Sequence, residues 1–312
     1  MSARVLVAGD ANLDLVLQGD VRPRFGQAEQ FLTGADLVLG SSAGICASGL
    51  ARLGVGVGLV ARVGEDLFGA RTRDLLSGNG VGVADLRTVP GPTGLSVILS
   101  GGDDRSILTL PGAMAGLGVD DVREAVARSG ATHLHVASFF LVPDFAHGLA
   151  GLLAEVRAAG VTTSLDPNWD PLQAWAGVAE CLPYLDLLLP NTAEAVELAG
   201  VVTGGRAPGA VAAARVLASH GPVVAVKDGA AGGFVVADGE VLRAPGLSVA
   251  VVDTTGAGDS FDAGFLAAWL EGRGPAESLA WATAAGSLST TGAGGTGRQA
   301  TRAELLAALG RS

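Results

Sequence analysis

The stretch from Asp253 to Leu270 reads DTTGAGDSFDAGFLAAWL. It opens on small residues and two threonines, then becomes an apolar periodic run. After Gly258 the apolar residues Phe261, Phe265, Leu266 and Trp269 fall at i, i+4, i+5 and i+8, which is one face of a helix. Gly256, Ala257 and Gly258 therefore stand at a helix N-terminus, where N–H groups lack partners and partial positive charge gathers. Glycine lets a ligand approach the backbone closely. Such a turn is an anion hole, and a phosphoryl group in transfer is its demanding guest, because the transition state spreads charge over the equatorial oxygens. Asp259 would point at the same space. A carboxylate beside a phosphate needs a purpose, and accepting the proton of an attacking hydroxyl is one. Asp259 can also be read as a helix-start residue that satisfies backbone N–H groups. No Walker Lys-Ser/Thr pair and no complete GxGxxG accompanies the glycines.

Upstream of this helix, apolar runs alternate with helical segments. VLVAGD (5–10), VGLVARVG (57–64), THLHVASFF (132–140), VTTSLDPN (161–168), LDLLLPN (185–191) and PVVAVKDG (222–229) read as strands buried on both faces. Helix patterns cover 44–53, 66–77, 119–129, 145–159, 192–200 and 208–220. This alternation predicts a parallel sheet covered on both sides, with ligands beyond the carboxyl ends of its strands. Residues 15–40 and 88–111 break the rhythm. There TGLSVILSGGDDRSILTL carries a hairpin signal at GGDD. These two segments are expected to form a small β appendage serving as a lid or a dimer surface, or simply an edge hairpin.

The composition narrows the function classes. With 312 residues, the chain is long enough for one large α/β domain with an appendage. A net charge of −11 argues against a nucleic-acid or anionic-membrane binder. No apolar run free of glycine has the length of a membrane span, and the N-terminus shows no secretion pattern, so neither a membrane partner nor export is expected. Cys46 and Cys181 lie far apart and form no CxxC, which fits a reducing cytoplasm. Lys227 is the only lysine. His133 and His135 share a strand face, but no carboxylate or cysteine cluster completes a metal site around them. Ser138 and Ser260 lack a His–Asp arrangement in sequence, which argues against a serine hydrolase.

DTTGAGDSF resembles the C-terminal signature of the ribokinase family, the PfkB carbohydrate kinases. The resemblance runs from about residue 4 to 297. It implies a three-layer α/β sandwich with a mostly parallel central sheet, one domain over 1–312, and a lid from about 15–40 and 88–111. It also implies Asp259 as catalytic base, with the amides of Gly256, Ala257 and Gly258 as the anion hole. GDANLDLV resembles the family's first strand, with Asn12 and Asp14 binding sugar hydroxyls; a solvated strand end is the plainer reading. GSSAGICASGLARLG (40–54) resembles the N-terminal signature, which places Gly40 and Ser41 at the substrate, and VARVGEDLFG follows as in the family. Asn191 and Glu194 resemble NxxE, implying a role near magnesium, through water, and phosphate; helix capping explains the same spacing. VVAVKDGAAGGFVV resembles the strand and turn beside the nucleotide, giving Gly229 and Gly232, with Lys227 either near the phosphates or structural. The family often holds a monovalent cation such as potassium through backbone carbonyls. By position the candidates are Asp253, Thr255, Ser287, Thr290, Gly292 and Thr296.

The chain departs from the family pattern where Ile45 replaces a sugar-contacting asparagine and Ser41 replaces the second glycine. DPNWD also stands where DPNxR is frequent. These changes leave phosphoryl transfer intact and put sugar identity in question. The expected activity is ATP- and magnesium-dependent phosphorylation of a hydroxyl on a sugar or sugar-like molecule. A nucleoside kinase would need stacking aromatics such as Phe139 or Phe140. A keto-deoxy sugar acid would need a cation such as Arg105 in the lid. A non-catalytic sugar or nucleotide sensor is the reading from a different class.

Overall fold

The structure, a computed structural model, describes residues 5–101, 104–205 and 207–310; the tip of the GGDD hairpin and the side chains of Asp104 and Arg105 lie outside it. Thirteen strands form two sheets among these residues. The large sheet takes β1 (Val5–Ala8), β4 (Val57–Gly64), β5 (Leu86–Val89), β8 (His133–Val136), β9 (Thr162–Leu165), β10 (Leu187–Leu188), β11 (Val223–Lys227), β12 (Gly233–Ala237) and β13 (Glu240–Ala244). Their order is β13-β12-β11-β10-β9-β8-β1-β4-β5, parallel except for the antiparallel edge formed by β12 and β13. The second sheet is β3-β2-β6-β7, built from β2 (Asn12–Gly19), β3 (Leu32–Leu39), β6 (Gly94–Gly101) and β7 (Asp104–Leu110).

The period of two along β1 explains the three layers. Val5 and Val7 enter one core and Leu6 and Ala8 the other, and all four are fully buried. The first core joins α1 (Ser42–Arg52), α2 (Leu67–Gly78) and the later helices α8 (Ala257–Leu270), α9 (Pro275–Ser289) and α10 (Arg302–Ala308). The second joins α3 (Val119–Ser129), α4 (Pro143–Ala158), α5 (Val178–Cys181), α6 (Thr192–Thr203) and α7 (Ala210–Ala218). Order along the sheet reverses at β1, which pairs with β4 on one side and β8 on the other. A crevice opens at such a switch point, beyond the carboxyl ends of the strands.

Several strands stop earlier than their apolar runs. β9 ends at Leu165 because Pro167 lacks an N–H and Asn168 takes a left-handed φ of 57°. β10 is only two residues long, because Pro190 follows and Asn191 already caps α6. The four-stranded sheet has two unlike faces, as its register shows. Asp14 pairs with Ser96 and Ser96 with Thr109, a polar row. Leu15 pairs with Leu37 and with Val97, and Val97 with Leu108, an apolar row on the other side. Leu86–Val89 pairs with β4 in the large sheet, so the later segment joins the small sheet only from Gly94.

Candidate active site

Asn12 and Asp14 do not end the first strand of the large sheet; they open β2, the first strand of the small one. Both are buried, and Asn12 Nδ2 donates to Asp14 Oδ1 at 3.1 Å and to Ser96 Oγ at 3.4 Å. Ser96 Oγ in turn lies 3.0 Å from Thr109 Oγ1. Gly40 closes on this pair: a Cβ there would lie 2.2 Å from Asp14 Oδ1 and 2.8 Å from Asn12 Nδ2. Ser41 follows at φ 69°, and its Oγ caps α1 by accepting from Gly44 N at 3.0 Å. A residue with a short polar side chain tolerates that backbone and supplies the cap at once. The side chain of Arg105 lies outside the described residues; its backbone pairs with Ser100.

At the crevice, the ends of β1, β8, β9 and β11 bring polar groups together. Asp10 accepts from the amides of Ser42 and Ala43 at 3.2 and 3.0 Å, fixing the start of α1. Asn168 receives Ser138 N on its Oδ1 at 2.6 Å and donates from Nδ2 to Ser42 Oγ at 3.1 Å and Asp166 Oδ2 at 3.2 Å. Ser138 and Asn168 both have left-handed φ values, 59° and 57°. Strained non-glycine backbone of this kind gathers at functional sites.

Asp259 lies in the first turn of α8, as its spacing predicts. Burial, and then the nearby Asp166 charge, pushes its carboxyl up to about 8, while Lys227 and a hydrogen bond to Ser42 act the other way. Gly256 precedes the helix at φ 71°. A Cβ on Gly256 would lie 2.7 Å from Gly295 Cα and 3.0 Å from Ile45 Cγ2, and one on Gly295 would lie 2.4 Å from Ile45 Cδ1. Ile45 is thus wedged under the turn, buried, and packs against Gly256 and Gly295 instead of standing as an open apolar wall. Of the nominated amides, that of Ala257 donates to Thr254 O at 3.2 Å.

Ala257 and Gly258 also line a cavity of about 550 Å³, shared with Lys227, Gly229, Gly232 and Phe261. Its size and mostly apolar wall suit a nucleoside-sized ligand. Gly229 and Gly232 have positive φ, and a Cβ on Gly232 would lie 2.3 Å from Ala244 O. Ser287 and Thr290 sit on the opposite wall.

The remaining candidates are spread around these two centres. Asn191 and Glu194 form a reciprocal capping box: Asn191 N and Nδ2 donate to Glu194 at 2.8 and 2.6 Å, and Glu194 N donates back to Asn191 Oδ1 at 2.9 Å. Burial pushes Glu194 up to about 7, with Asp166 adding and Lys227 opposing. Asp253 Oδ1 accepts from Thr255 N and Oγ1, and its Oδ2 from Gly294 N, tying the glycine loop to the anion-hole turn. Thr290 O accepts from Val252 N and Asp253 N, and Ser287 O from Thr290 N and Oγ1. Gly292 and Thr296 lie in the same loop, 291–298. Those two carbonyls are used inside the protein in this conformation, so a cation there would compete for them.

Lys227 lines the cavity, but its ammonium is held by carboxyls. Its Nζ donates to Asp166 Oδ2 at 2.8 Å and Asp262 Oδ2 at 3.1 Å. Asp10, Ser42, Ser96, Asp166, Asn168 and Asp262 escaped the sequence reading. Only Asp166-Pro167-Asn168, at a strand end, carried a local signal; the rest join the site through long-range contacts.

Comparison with known proteins agrees with this geometry. The pfkB family carbohydrate kinase pattern matches residues 42–302. The chain is 34% identical to the ATP-dependent ribose-1-phosphate kinase of Halopiger xanaduensis, over 98% of this chain and 97% of that one. It is 30% identical to the ribokinase of Haemophilus influenzae over 98% of each. The solved ribokinase of Arabidopsis thaliana, complexed with ribose and ATP, superposes with a TM-score of 0.83 at 27% identity, covering 100% of both chains. An E. coli structure provisionally named ribokinase II, with ATP and magnesium bound, superposes at 0.86 with 22% identity, over 99% of this chain and 100% of that one. The chain therefore belongs to the PfkB family of carbohydrate kinases, ATP-dependent phosphotransferases with an alcohol group as acceptor.

Proposed function

We propose that this protein transfers the γ-phosphate of magnesium-ATP to a hydroxyl of a sugar or sugar-like molecule, with Asp259 as the base. The position of one helical turn carries the reading. Ala257 and Gly258 line the nucleotide-sized cavity while the Asp259 carboxylate reaches Ser42 on the acceptor side. A group placed there meets both substrates.

Asn12 and Asp14 would hold acceptor hydroxyls, with Gly40 and Ser41 shaping the backbone around them. Asp259 would take the proton as the acceptor oxygen forms its bond to the γ-phosphorus and the bond to ADP breaks; the proton then passes to solvent. The amides of Gly256 and Gly258 would face the charge that develops, joined by that of Ala257 once its contact with Thr254 opens. Gly229 and Gly232 would let the nucleotide lie close to the β11–β12 turn. Magnesium would neutralise the phosphates, with Glu194 acting through water from behind its capping box and Asn191 holding it there. Closure of the small sheet would exclude water from competing as acceptor. Potassium, at Asp253, Thr255, Ser287, Thr290, Gly292 and Thr296, is the lesser part of this reading. The outer face of the small sheet supports pairing of two copies: Leu37, Leu108 and Leu110 are exposed there.

A second reading, a nucleoside acceptor, is favoured by one observation. Phe139 is buried and Phe140 partly so, but both belong to an edge-to-face aromatic cluster that ends in Trp169, half exposed beside Asn168. A base could stack there.

ADP release with magnesium-ATP, with and without potassium, across pentoses, hexoses, keto-deoxy acids and nucleosides tests the proposal. Acceptor-dependent turnover is expected with at least one class. ATP binding without turnover on any acceptor would contradict it and favour a sensor.

A further inference from the structure

The only lysine of the chain is buried where three carboxylates converge. Carboxylate oxygens of Asp166, Asp259 and Asp262 lie within 4.8 Å of one another. Lys227 Nζ bonds to two of them, and all three of these side chains are nearly sealed from water, with 12% of Lys227, 2% of Asp166 and 1% of Asp262 exposed. A cluster of this density could hold a cation, and the cation it holds is an ammonium. The lysine arrives from the end of β11, Asp166 from the end of β9 and Asp262 from α8, one turn beyond Asp259. A Cβ on Gly258 would lie 3.5 Å from Lys227 Cδ and 3.8 Å from Nζ, so the lysine side chain packs against that glycine, and both line the cavity. Asp262 Oδ1 is buried without a hydrogen-bond partner; burial raises this carboxyl well above its usual range, and Lys227 and Asp166 hold its other side.

We propose that Lys227 is a positioning residue of the phosphoryl-transfer site: clamped between Asp166 and Asp262, its ammonium is the counter-charge that allows Asp259 to ionise one turn away, and it acts through these carboxyls rather than as a ligand of the nucleotide. The proposal rests on the assignment of Asp259 as base.

Charged and polar groups face this cluster from every element around it. Asp10 from β1, Asp166 from β9, Lys227 from β11 and Ser42 from α1 act on Asp259. Glu194 from α6 acts on Lys227, and His135 from β8 and Cys46 from α1 sense the same charges. Burial pulls Asp166 up, but Lys227, a hydrogen bond from Asp262 and His135 together hold that carboxyl below its usual range. Burial pulls Lys227 down, and Asp166, Asp262 and Glu194 together raise it well above its usual range. Beside burial, Asp166 and Asp10 raise Asp259, and Lys227 is the cation that opposes them. Loss of that cation moves ionisation of the base to higher pH.

The test compares Lys227→Met, Lys227→Arg, Asp262→Asn and Asp259→Asn with the wild-type protein, each first checked for folding by circular dichroism. The acid limb of the kcat–pH profile is expected to move up by about 1–3 pH units in Lys227→Met, the shift that loss of an adjacent opposite charge produces. Lys227→Arg should recover part of it, and Asp262→Asn, which leaves the ammonium in place, should leave the limb near wild type. KM for ATP should stay near wild type. An unmoved limb with KM for ATP raised about tenfold or more, the cost of losing a charge-assisted contact to the nucleotide, would overturn the proposal. If Lys227→Met does not fold, Lys227→Arg decides: a limb moved up upholds the proposal, and an unmoved limb with a raised KM for ATP overturns it. A separate readout needs no activity. Selective 15N-lysine labelling gives one side-chain signal, expected to stay protonated well past the ordinary value of 10.5 and to titrate earlier in Asp262→Asn. Ordinary titration would overturn the clamp. Wild-type turnover in Asp259→Asn would instead remove the base assignment, and the lysine signal would still report whether the clamp exists.

Discussion

Gly40 and Ile45 show how single residues shape the two halves of the site. Gly40 leaves no room for a side chain against Asp14 and Asn12. Gly40→Ala should push that pair apart and raise KM for the acceptor by at least about tenfold, with KM for ATP nearly unchanged, as steady-state kinetics on both substrates would show. Ile45 fills the space under Gly256 and Gly295. Ile45→Asn restores the residue type the family resemblance implies, yet here it buries an amide among glycines. It should cost about 1–3 kcal/mol in denaturant unfolding without creating acceptor affinity. The site is partly legible at this scale. Asp259, Gly256 and Gly258 stand in one local stretch whose period and small residues declare a helix start. The Lys227 pairs with Asp166 and Asp262 span 61 and 35 residues, so no local pattern could announce them. The same holds for Asn168 and Ser42, 126 residues apart.

Among the elements, β8 and β9 carry a polar seam through the middle of the sheet. His133 bonds Thr162 at 2.8 Å and Ser164 at 2.7 Å, and His135 bonds the same Ser164 hydroxyl at 2.8 Å. Hydroxyls partner both ring nitrogens of His133 and Nδ1 of His135, while His135 Nε2 is buried without a hydrogen-bond partner. Burial lowers His133 to about 3, with His135 adding, and lowers His135 to about 4, with Asp166 opposing. Both folded values lie below the ordinary 6.5, so the unfolded chain binds the extra protons as pH falls. Their contribution to stability is present above pH 6.5 and is lost as pH drops through the window down to about 3. Urea unfolding between pH 7 and 4 should show that slope, and His133→Gln with His135→Gln should flatten it. The strands themselves were legible from their unbroken apolar runs, but their ends were not. Pro167, Asn168 and Pro190 cut them short. The β12–β13 hairpin turns at Asp238-Gly239, both with positive φ, a dipeptide that signals such a turn.

For the whole molecule, the small sheet has two unlike faces, one polar and one apolar. Its polar row carries Asp14, Ser96 and Thr109, and its apolar row leaves Leu108 at 60% and Leu110 at 52% exposure on β7, while Phe31, at 89%, precedes β3 at the other edge. A solvent-facing surface of this character is costly to leave bare. Sedimentation should find a dimer, and Leu108→Asp should weaken it to monomer while leaving the fold intact. A wild-type monomer at micromolar concentration would remove the pairing. No helix among the described residues is long and apolar enough to cross a membrane. The alternating order of strands and helices made the three layers legible, and the broken rhythm marked the small sheet. That Asn12 and Asp14 belong to it, and not to the first central strand, was hidden because only Gly9, Asp10 and Ala11 separate β1 from β2.

All of these scales meet at the first turn of α8. Asp259→Asn keeps the size of the side chain and removes its ability to accept the acceptor's proton. With the best acceptor from the panel, kcat at saturating magnesium-ATP should fall by about 10²–10⁴-fold, while the affinity for ATP measured by calorimetry stays unchanged. Turnover within a few fold of wild type would contradict the account, because the proton would then be leaving by another route and Asp259 would be no more than the start of a helix.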